Sequence, residues 1–310
     1  VRVLFWGTPE FATPALRALI GEGFDVVGVV TQPDKPVGRS RSTLAPPPVK
    51  QIAVEEGIPL LQPERPRGDD FLAQLTALAP DISVVVAYGH ILSTSVIGVP
   101  RLGTINIHAS LLPKLRGAAP IQAAIREGHT ETGITIMRMV QALDAGPSIL
   151  QVSTPIPEDE TYGELQIRLA EMGALALVEA LALIDLGKAT ETAQDDREAT
   201  YAGKIDRAVT KIDWSAEART VSRVIRAYDP RPGAVTRLRD SEVKLFGARL
   251  APRASDSAPG EVLEIGENGM TVACGSGAVQ IAMLHPAGKR RLSPAEWARG
   301  RGIAVGDRLS

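Results

Sequence analysis

Three short apolar runs rich in Val and Ile, set apart by helix-spaced segments, constrain this chain more than any other feature. Val1–Trp6, Asp25–Thr31 (DVVGVVT) and Ile82–Ala87 (ISVVVA) lack the polar alternation of a half-solvated strand. They read as strands covered on both faces of a parallel sheet. Helical spacing marks the stretch from Thr8 to Ile20 and the segments Val49–Glu56 and Phe71–Leu78. Thr8-Pro9-Glu10 supplies an N-cap, a first-turn proline and an early acid. Gly103–His108 is a further strand and Ala118–Glu127 a further helix. Glu131–Val140 and Ser148–Pro155 form a hairpin pair around Leu143-Asp144-Ala145-Gly146, and Thr161–Leu186 is the longest helical pattern. Gln32–Pro48, rich in Pro, Arg and Ser, reads as irregular. Strands alternating with helices predict an α/β, Rossmann-like, mostly parallel sheet with helices on both faces.

The last third differs. Residues 189–206 are polar and rich in Ala, Thr and Asp, and read as a linker. Lys211–Tyr228 is expected to be helical. Five short runs follow at Gly233–Leu238, Val243–Leu250, Gly260–Ile265, Gly269–Cys274 and Ala278–Leu284, which suggests a small OB-like β-barrel. The expected division is therefore 1–188, 189–206 and 207–310, and 310 residues suffice for two cores. Charge follows the same division. Residues 1–204 carry 17 Lys/Arg against 24 Asp/Glu, and residues 205–310 carry 17 against 12. A basic C-terminal third suggests a polyanionic partner, although charge alone reads equally as a solvated surface.

Several classes are set aside by composition. A single cysteine, Cys274, forms no internal disulfide, so a cytoplasmic, reducing location is expected. Four histidines and one cysteine without paired spacing give no expectation of a metal. No apolar run nears the ~18 residues of a membrane span, no secretory leader is read, and no membrane partner is expected. No exposed heptad or long apolar face points beyond a monomer. Gly7 alone cannot make a dinucleotide fingerprint, so no nicotinamide is expected.

The chemical centre is read in Asn106-Ile107-His108-Ala109-Ser110-Leu111-Leu112-Pro113 and onward to Pro120. In a strand, Thr104, Asn106 and His108 share one face, which sets an amide beside an imidazole at the strand's carboxyl end. Ligands of open α/β sheets bind at such ends. Acyl transfer to an amine needs donors for a developing oxyanion and a group that moves protons. An amide N–H₂ and an imidazole meet those needs. Asp144, in its tight turn, is the carboxylate able to hold or charge-balance the ring. Each residue also has a plain structural use: a hydrogen-bonded core histidine, a turn-forming Asn, a hairpin-turn Asp. Spacing alone leaves both readings open.

The Asn-x-His pair, Ser110–Pro113 and Arg116-Gly117-Ala118-Ala119-Pro120-Ile121-Gln122 together resemble the signature of the methionyl-tRNA formyltransferase family. The resemblance runs through Gly7-Thr8-Pro9-Glu10-Phe11, Thr31–Pro36, Ala87-Tyr88-Gly89, Glu131–Met137 and Pro286-Ala287-Gly288-Lys289, nearly the whole chain. It implies Asn106, His108 and Asp144 as the catalytic trio and 10-formyltetrahydrofolate as formyl donor. Ser110, Leu111, Leu112 and Pro113 would line the folate, with the pterin beside Tyr88, Gly89, His90, Ile91 and Leu92. The acceptor implied is the free amine of initiator methionyl-tRNA. Lys35, Arg39 and Arg41 on the long loop, and Lys204, Lys211, Lys289, Arg290 and Arg291 in the C-terminal part, would contact it. Around the aspartate the family usually has Gly-Leu-Asp-Thr-Gly, whereas this chain has Ala142-Leu143-Asp144-Ala145-Gly146. Glycinamide ribonucleotide and sugar N-formyltransferases share the Asn-x-His centre, but a small acceptor gives no reason for a basic loop and a basic barrel. A purely RNA-binding module would have no need of an Asn/His pair at a strand end.

Overall fold

The structure, a computed structural model, describes residues 1–37, 43–252 and 257–310. In chain order its first strands and helices are β1 (Arg2–Gly7), α1 (Thr13–Gly21), β2 (Asp25–Val30), β3 (Lys35–Val37), β4 (Thr43–Ala45), α2 (Pro48–Glu55), β5 (Leu60–Leu61), α3 (Asp69–Ala77), β6 (Ile82–Val86), α4 (Thr94–Ile97) and β7 (Thr104–His108). Then come β8 (Arg116–Gly117), α5 (Pro120–Glu127), β9 (Glu131–Arg138), β10 (Ser148–Pro155), α6 (Tyr162–Asp185) and β11 (Tyr201–Ala202). The last are α7 (Ala218–Ala227), β12 (Ala234–Leu238), β13 (Ser241–Leu250), β14 (Val262–Gly266), β15 (Gly269–Ala273), β16 (Ala278–Pro286) and α8 (Pro294–Arg299). They pack as two units. One comprises Val1–Gly117, Thr132–Thr154 and Gln166–Tyr201, the other Ala118–Glu131, Pro155–Leu165 and Ala202–Ser310.

The first unit is built on a sheet of order β10-β9-β7-β6-β1-β2-β5. β1 lies parallel to both β2 and β6, β6 parallel to β7, and β9 antiparallel to β7. The chain adds strands to one side of β1 and then to the other, so the order reverses between β1 and β6. A crevice opens at such a reversal, at the carboxyl ends of the strands. Val3, Leu4, Phe5 and Trp6 are wholly buried, as are Ile82 and Val84, which is what the uninterrupted apolar runs demand. Trp6 meets Phe71 and Tyr88 edge to face, with centroids 6.0 and 5.3 Å apart. Such pairs add roughly 0.5–1.5 kcal/mol each beyond their burial.

The second unit is the antiparallel sheet β12-β13-β16-β15-β14. Its two edges are joined by the chain's last residues. Arg237 and Ser310 exchange backbone hydrogen bonds of 2.8 and 2.9 Å, while Leu309 N donates to Gly260 O and Val262 N to Asp307 O, both at 2.8 Å. The sheet is thereby closed, which fits the OB-like expectation. Helix α7 turns Val221 and Ile225 inward and packs on β12, β13 and β16.

Three local readings change. Part of the segment expected to be irregular pairs as a hairpin, Lys35 with Ala45 and Pro36 with Leu44; a two-stranded ribbon tolerates the donor that Pro36 lacks. The helix expected from Lys211 begins only at Ala218, because Asp213 turns the chain first, accepting from Ser215 N at 3.0 Å and Ser215 Oγ at 2.6 Å. Thr8 is no helix cap: its hydroxyl donates to Tyr88 O at 3.1 Å, and a short 3₁₀ turn, Glu10–Ala12, precedes α1.

Candidate active site

Strand β7 sets Asn106 and His108 on one face, as alternation requires, and ends at the histidine. His108 is 5% exposed. Its Nε2 lies 3.0 Å from Leu115 O, a contact only an N–H can make, so the Nε2 proton is assigned there. Nδ1 therefore faces Asp144, whose Oδ2 is 3.7 Å away. That oxygen also accepts Gly117 N–H at 2.8 Å, which holds the carboxylate beside the ring. With Nδ1 unprotonated, a lone pair faces a carboxylate; with Nδ1 protonated, the same pair attracts. The half-buried Asn106 amide makes no hydrogen bond among the described residues, which leaves its N–H₂ free to donate.

The loop after β7 is braced internally. Ser110 Oγ donates to Lys114 O at 2.6 Å, and Ser110 O accepts from Thr135 Oγ1 at 2.7 Å. Thr135 Oγ1 in turn accepts from Leu112 N and Gln151 Nε2, both at 3.1 Å, while Gln151 also donates to Leu112 O at 2.7 Å. Leu115 N donates to Thr200 Oγ1 at 2.8 Å. Ser110 and Leu112 are thus buried, while Leu111 and Pro113 stay half-buried. Sequence reasoning missed Thr135, Gln151 and Thr200. A threonine amid the apolar residues of β9 was the available signal for the first; nothing marked Thr200 in a polar linker.

The segment after β6 is the opposite. The Tyr88 ring and Leu92 are buried in the cluster around Trp6, so Tyr88 offers a ligand only its backbone. Its carbonyl already accepts from Thr8 and from Gln32 Nε2, at 3.1 and 2.9 Å. Burial pushes its hydroxyl up to about 12. Gly89, His90 and Ile91 are exposed, Ile91 to 90%. Among the described residues their backbone N–H groups have no backbone partner. Free amides beside an exposed apolar side chain fit a flat heterocycle with acceptors on its rim.

Of the basic residues, Lys35, Lys204, Lys211 and Lys289 are exposed, with no side-chain partner among the described residues. Arg39 and Arg41 lie outside the described residues. Arg290 pairs with Glu296 at 3.2 Å; the Arg291 guanidinium stacks 3.5 Å over the Phe246 ring and donates to Pro230 O. Among the described residues no group of three or more His, Cys, Asp or Glu could hold a metal ion.

A family model described as "Formyl transferase" matches residues 1–181, and one described as "Formyl transferase, C-terminal domain" matches residues 204–302. Fold and site together therefore define a formyl transferase. The chain is 48% identical over 309 residues to the methionyl-tRNA formyltransferase of Aromatoleum aromaticum, covering 100% of this chain and 97% of that one. It is 46% identical to that of Methylococcus capsulatus, with 100% and 99% covered. The chain belongs to the methionyl-tRNA formyltransferase family. In fold it resembles HypX from Aquifex aeolicus in complex with tetrahydrofolic acid, with a TM-score of 0.69, 19% identity, and 99% of this chain and 48% of that one covered. It also resembles WlaRD, a sugar 3N-formyl transferase, with a TM-score of 0.68, 19% identity, and 94% and 99% covered.

Proposed function

We propose that the chain transfers the formyl group of 10-formyltetrahydrofolate to the free α-amine of methionine carried by initiator tRNA, with Asn106, His108 and Asp144 performing the transfer. The approach of the Asp144 carboxylate to His108 Nδ1, 3.7 Å, beside the free amide of Asn106 carries this reading. The amine nitrogen attacks the formyl carbon, and the carbonyl oxygen becomes an oxyanion. Asn106 Nδ2–H donates to it, a role whose loss costs roughly 3 kcal/mol of barrier. His108 Nδ1 takes the amine proton, directly or through water, and Asp144 balances the imidazolium. The C–N10 bond then breaks and the proton passes to the folate nitrogen.

Gly89, His90 and Ile91 offer the pterin backbone amides and an apolar edge, Tyr88 and Leu92 support that segment from the core, and Ser110–Pro113 forms the facing wall. The tRNA backbone is met by Lys35, Arg39 and Arg41 and by Lys204, Lys211, Lys289, Arg290 and Arg291, in keeping with the basic excess of residues 205–310. In this reading residues 1–188 catalyse, 189–206 connect and 207–310 bind tRNA. The enzyme works as a cytoplasmic monomer. Its one cysteine, Cys274, has no second cysteine to pair with, which suits a reducing compartment.

Incubation with labelled 10-formyltetrahydrofolate tests the proposal. Label should reach charged initiator tRNA and not uncharged tRNA. Equal transfer to sugar amines, or no dependence on the aminoacyl group, would overturn it.

A further inference from the structure

Asp144 occupies a turn that its own residues do little to hold. Its φ is +47°, a left-handed conformation disfavoured for a residue with a Cβ. The flanking Ala142, Ala145 and Gly146 carry no polar side chain. Within the turn, Ala145 N reaches Ala142 O only at 3.4 Å. The brace comes from elsewhere in the chain. Gln194 Nε2 donates to Asp144 O at 2.8 Å and to Gly146 O at 2.7 Å, so both of its N–H bonds grip the turn on either side of Ala145.

The orientation of that amide is fixed in its turn. Gln194 Oε1 accepts from Arg116 Nε at 3.0 Å and Arg116 Nη2 at 2.8 Å. A flipped amide would aim its N–H₂ at the guanidinium and its oxygen at two carbonyls, so that every one of these hydrogen bonds would break together. Arg116 is 3% exposed and donates onward to Asp196 Oδ1 at 2.8 Å. The next residue, Gly117, gives its N–H to the Asp144 carboxylate. Arg116-Gly117 therefore reaches Asp144 twice, once directly and once through Gln194.

We propose that Gln194, oriented by Arg116, is the positioning residue that holds the Asp144 turn so that its carboxylate faces His108 Nδ1. The proposal rests on the catalytic reading of Asp144 and adds a requirement that reading lacks. A residue of the polar connecting segment, about 50 positions from the turn, sets the geometry of the chemical step without touching substrate.

Gln194→Glu keeps an oxygen for Arg116 and replaces the N–H₂ with a second oxygen facing two carbonyls. In the full-length enzyme it should lower kcat by about 10- to 100-fold, the scale of a misplaced catalytic group, with KM for folate and for charged tRNA within 2-fold of the parent. Because Gln194 acts through Asp144, the same change made in Asp144→Asn should cost less than 2-fold further. Near-parental turnover of Gln194→Glu overturns the proposal, as does its full loss multiplying onto Asp144→Asn. Gln194→Ala is measured alongside; loss of the cooperative unfolding transition in both variants makes Gln194 a folding residue and overturns it too. Near-parental turnover of Asp144→Asn alone would instead remove Asp144 from the chemistry, a separate result.

Discussion

The loops that follow β6 and β7 leave the same edge of the same sheet, one strand apart, yet they are built in opposite ways. After β7, Ser110–Arg116 is cross-braced by Thr135, Gln151 and Thr200, which bond Ser110 O, Leu112 N, Leu112 O and Leu115 N. After β6, Gly89–Ile91 is exposed and its amides have no partner among the described residues. On the proposed function, the contrast separates two duties that a transferase must meet at one crevice. A reacting group must be held within a fraction of an ångström, which requires a loop tied to the elements around it. A ligand must find donors not already taken, which requires a loop whose bonds are left open. His108 ends the strand that enters the first kind of loop, and its Nε2 is tied to Leu115 O there.

The contrast predicts that damage to the braced loop lowers the rate, while damage to the open one lowers affinity. His108→Ala should lose about 10²- to 10⁴-fold in kcat with folate affinity nearly unchanged, measured by single-turnover transfer alongside fluorescence titration of the folate. A loss confined to KM would reverse the assignment of duties. Thr135→Val keeps the side chain's shape and removes the hydroxyl that joins Ser110 O, Leu112 N and Gln151. Leaving those buried groups unpaired should cost about 2–3 kcal/mol in urea unfolding and lower kcat as the wall loosens. Unchanged stability would mean the brace is ornamental.

How much of this was legible beforehand depended on whether a residue's duty is local. The doubly covered strands could be read because Val3–Trp6 and Ile82–Val86 are apolar at every position but Ser83, and that is a property of neighbours in sequence. The Asn106/His108 pair could be read for the same reason, since strand alternation alone puts them on one face. The support for Asp144 could not. Gln194 and Thr200 sit in a stretch whose composition is that of a linker, and their partners lie about 50 and 85 residues away. Tyr88 shows the reverse case. The family resemblance sets it beside the pterin, while Trp6 and Phe71 supply an aromatic pocket that draws the ring into the core and leaves only the backbone for a ligand. The start of α7 was misplaced because the periodicity of Lys211–Tyr228 hides a turn made by one side chain, Asp213.

The open loop can be tested with a lighter touch. Gly89 has φ +89°, and a Cβ there would collide with Gln32 Nε2, which donates to Tyr88 O. Gly89→Ala should therefore cost about 2 kcal/mol in stability, from the left-handed backbone and the displaced Gln32–Tyr88 hydrogen bond, while raising KM for folate several-fold at constant kcat. A fall in kcat with KM unchanged would place this segment in the chemistry instead.

The smallest effect is expected at the neighbouring residue, and it separates backbone from side chain within the same loop. The Tyr88 hydroxyl is buried without a partner among the described residues, so Tyr88→Phe removes an unsatisfied group and should leave stability at pH 7 unchanged or higher by up to about 1 kcal/mol. Folate KM should stay where it was, because the ring faces the core. The alkaline limb gives the sharper readout. Burial raises the folded-state hydroxyl to about 12 from the ordinary 10, so its contribution to stability is complete below pH 10 and declines as pH rises from 10 to about 12. Over that window the unfolded chain binds fewer protons than the folded one, and the Phe variant lacks that loss. Its unfolding midpoint in urea should therefore fall less steeply than the parent's above pH 10. A Phe variant that is less stable at pH 7, or that binds folate more weakly, would put the hydroxyl to work at the crevice and erase the division of labour drawn between the two loops.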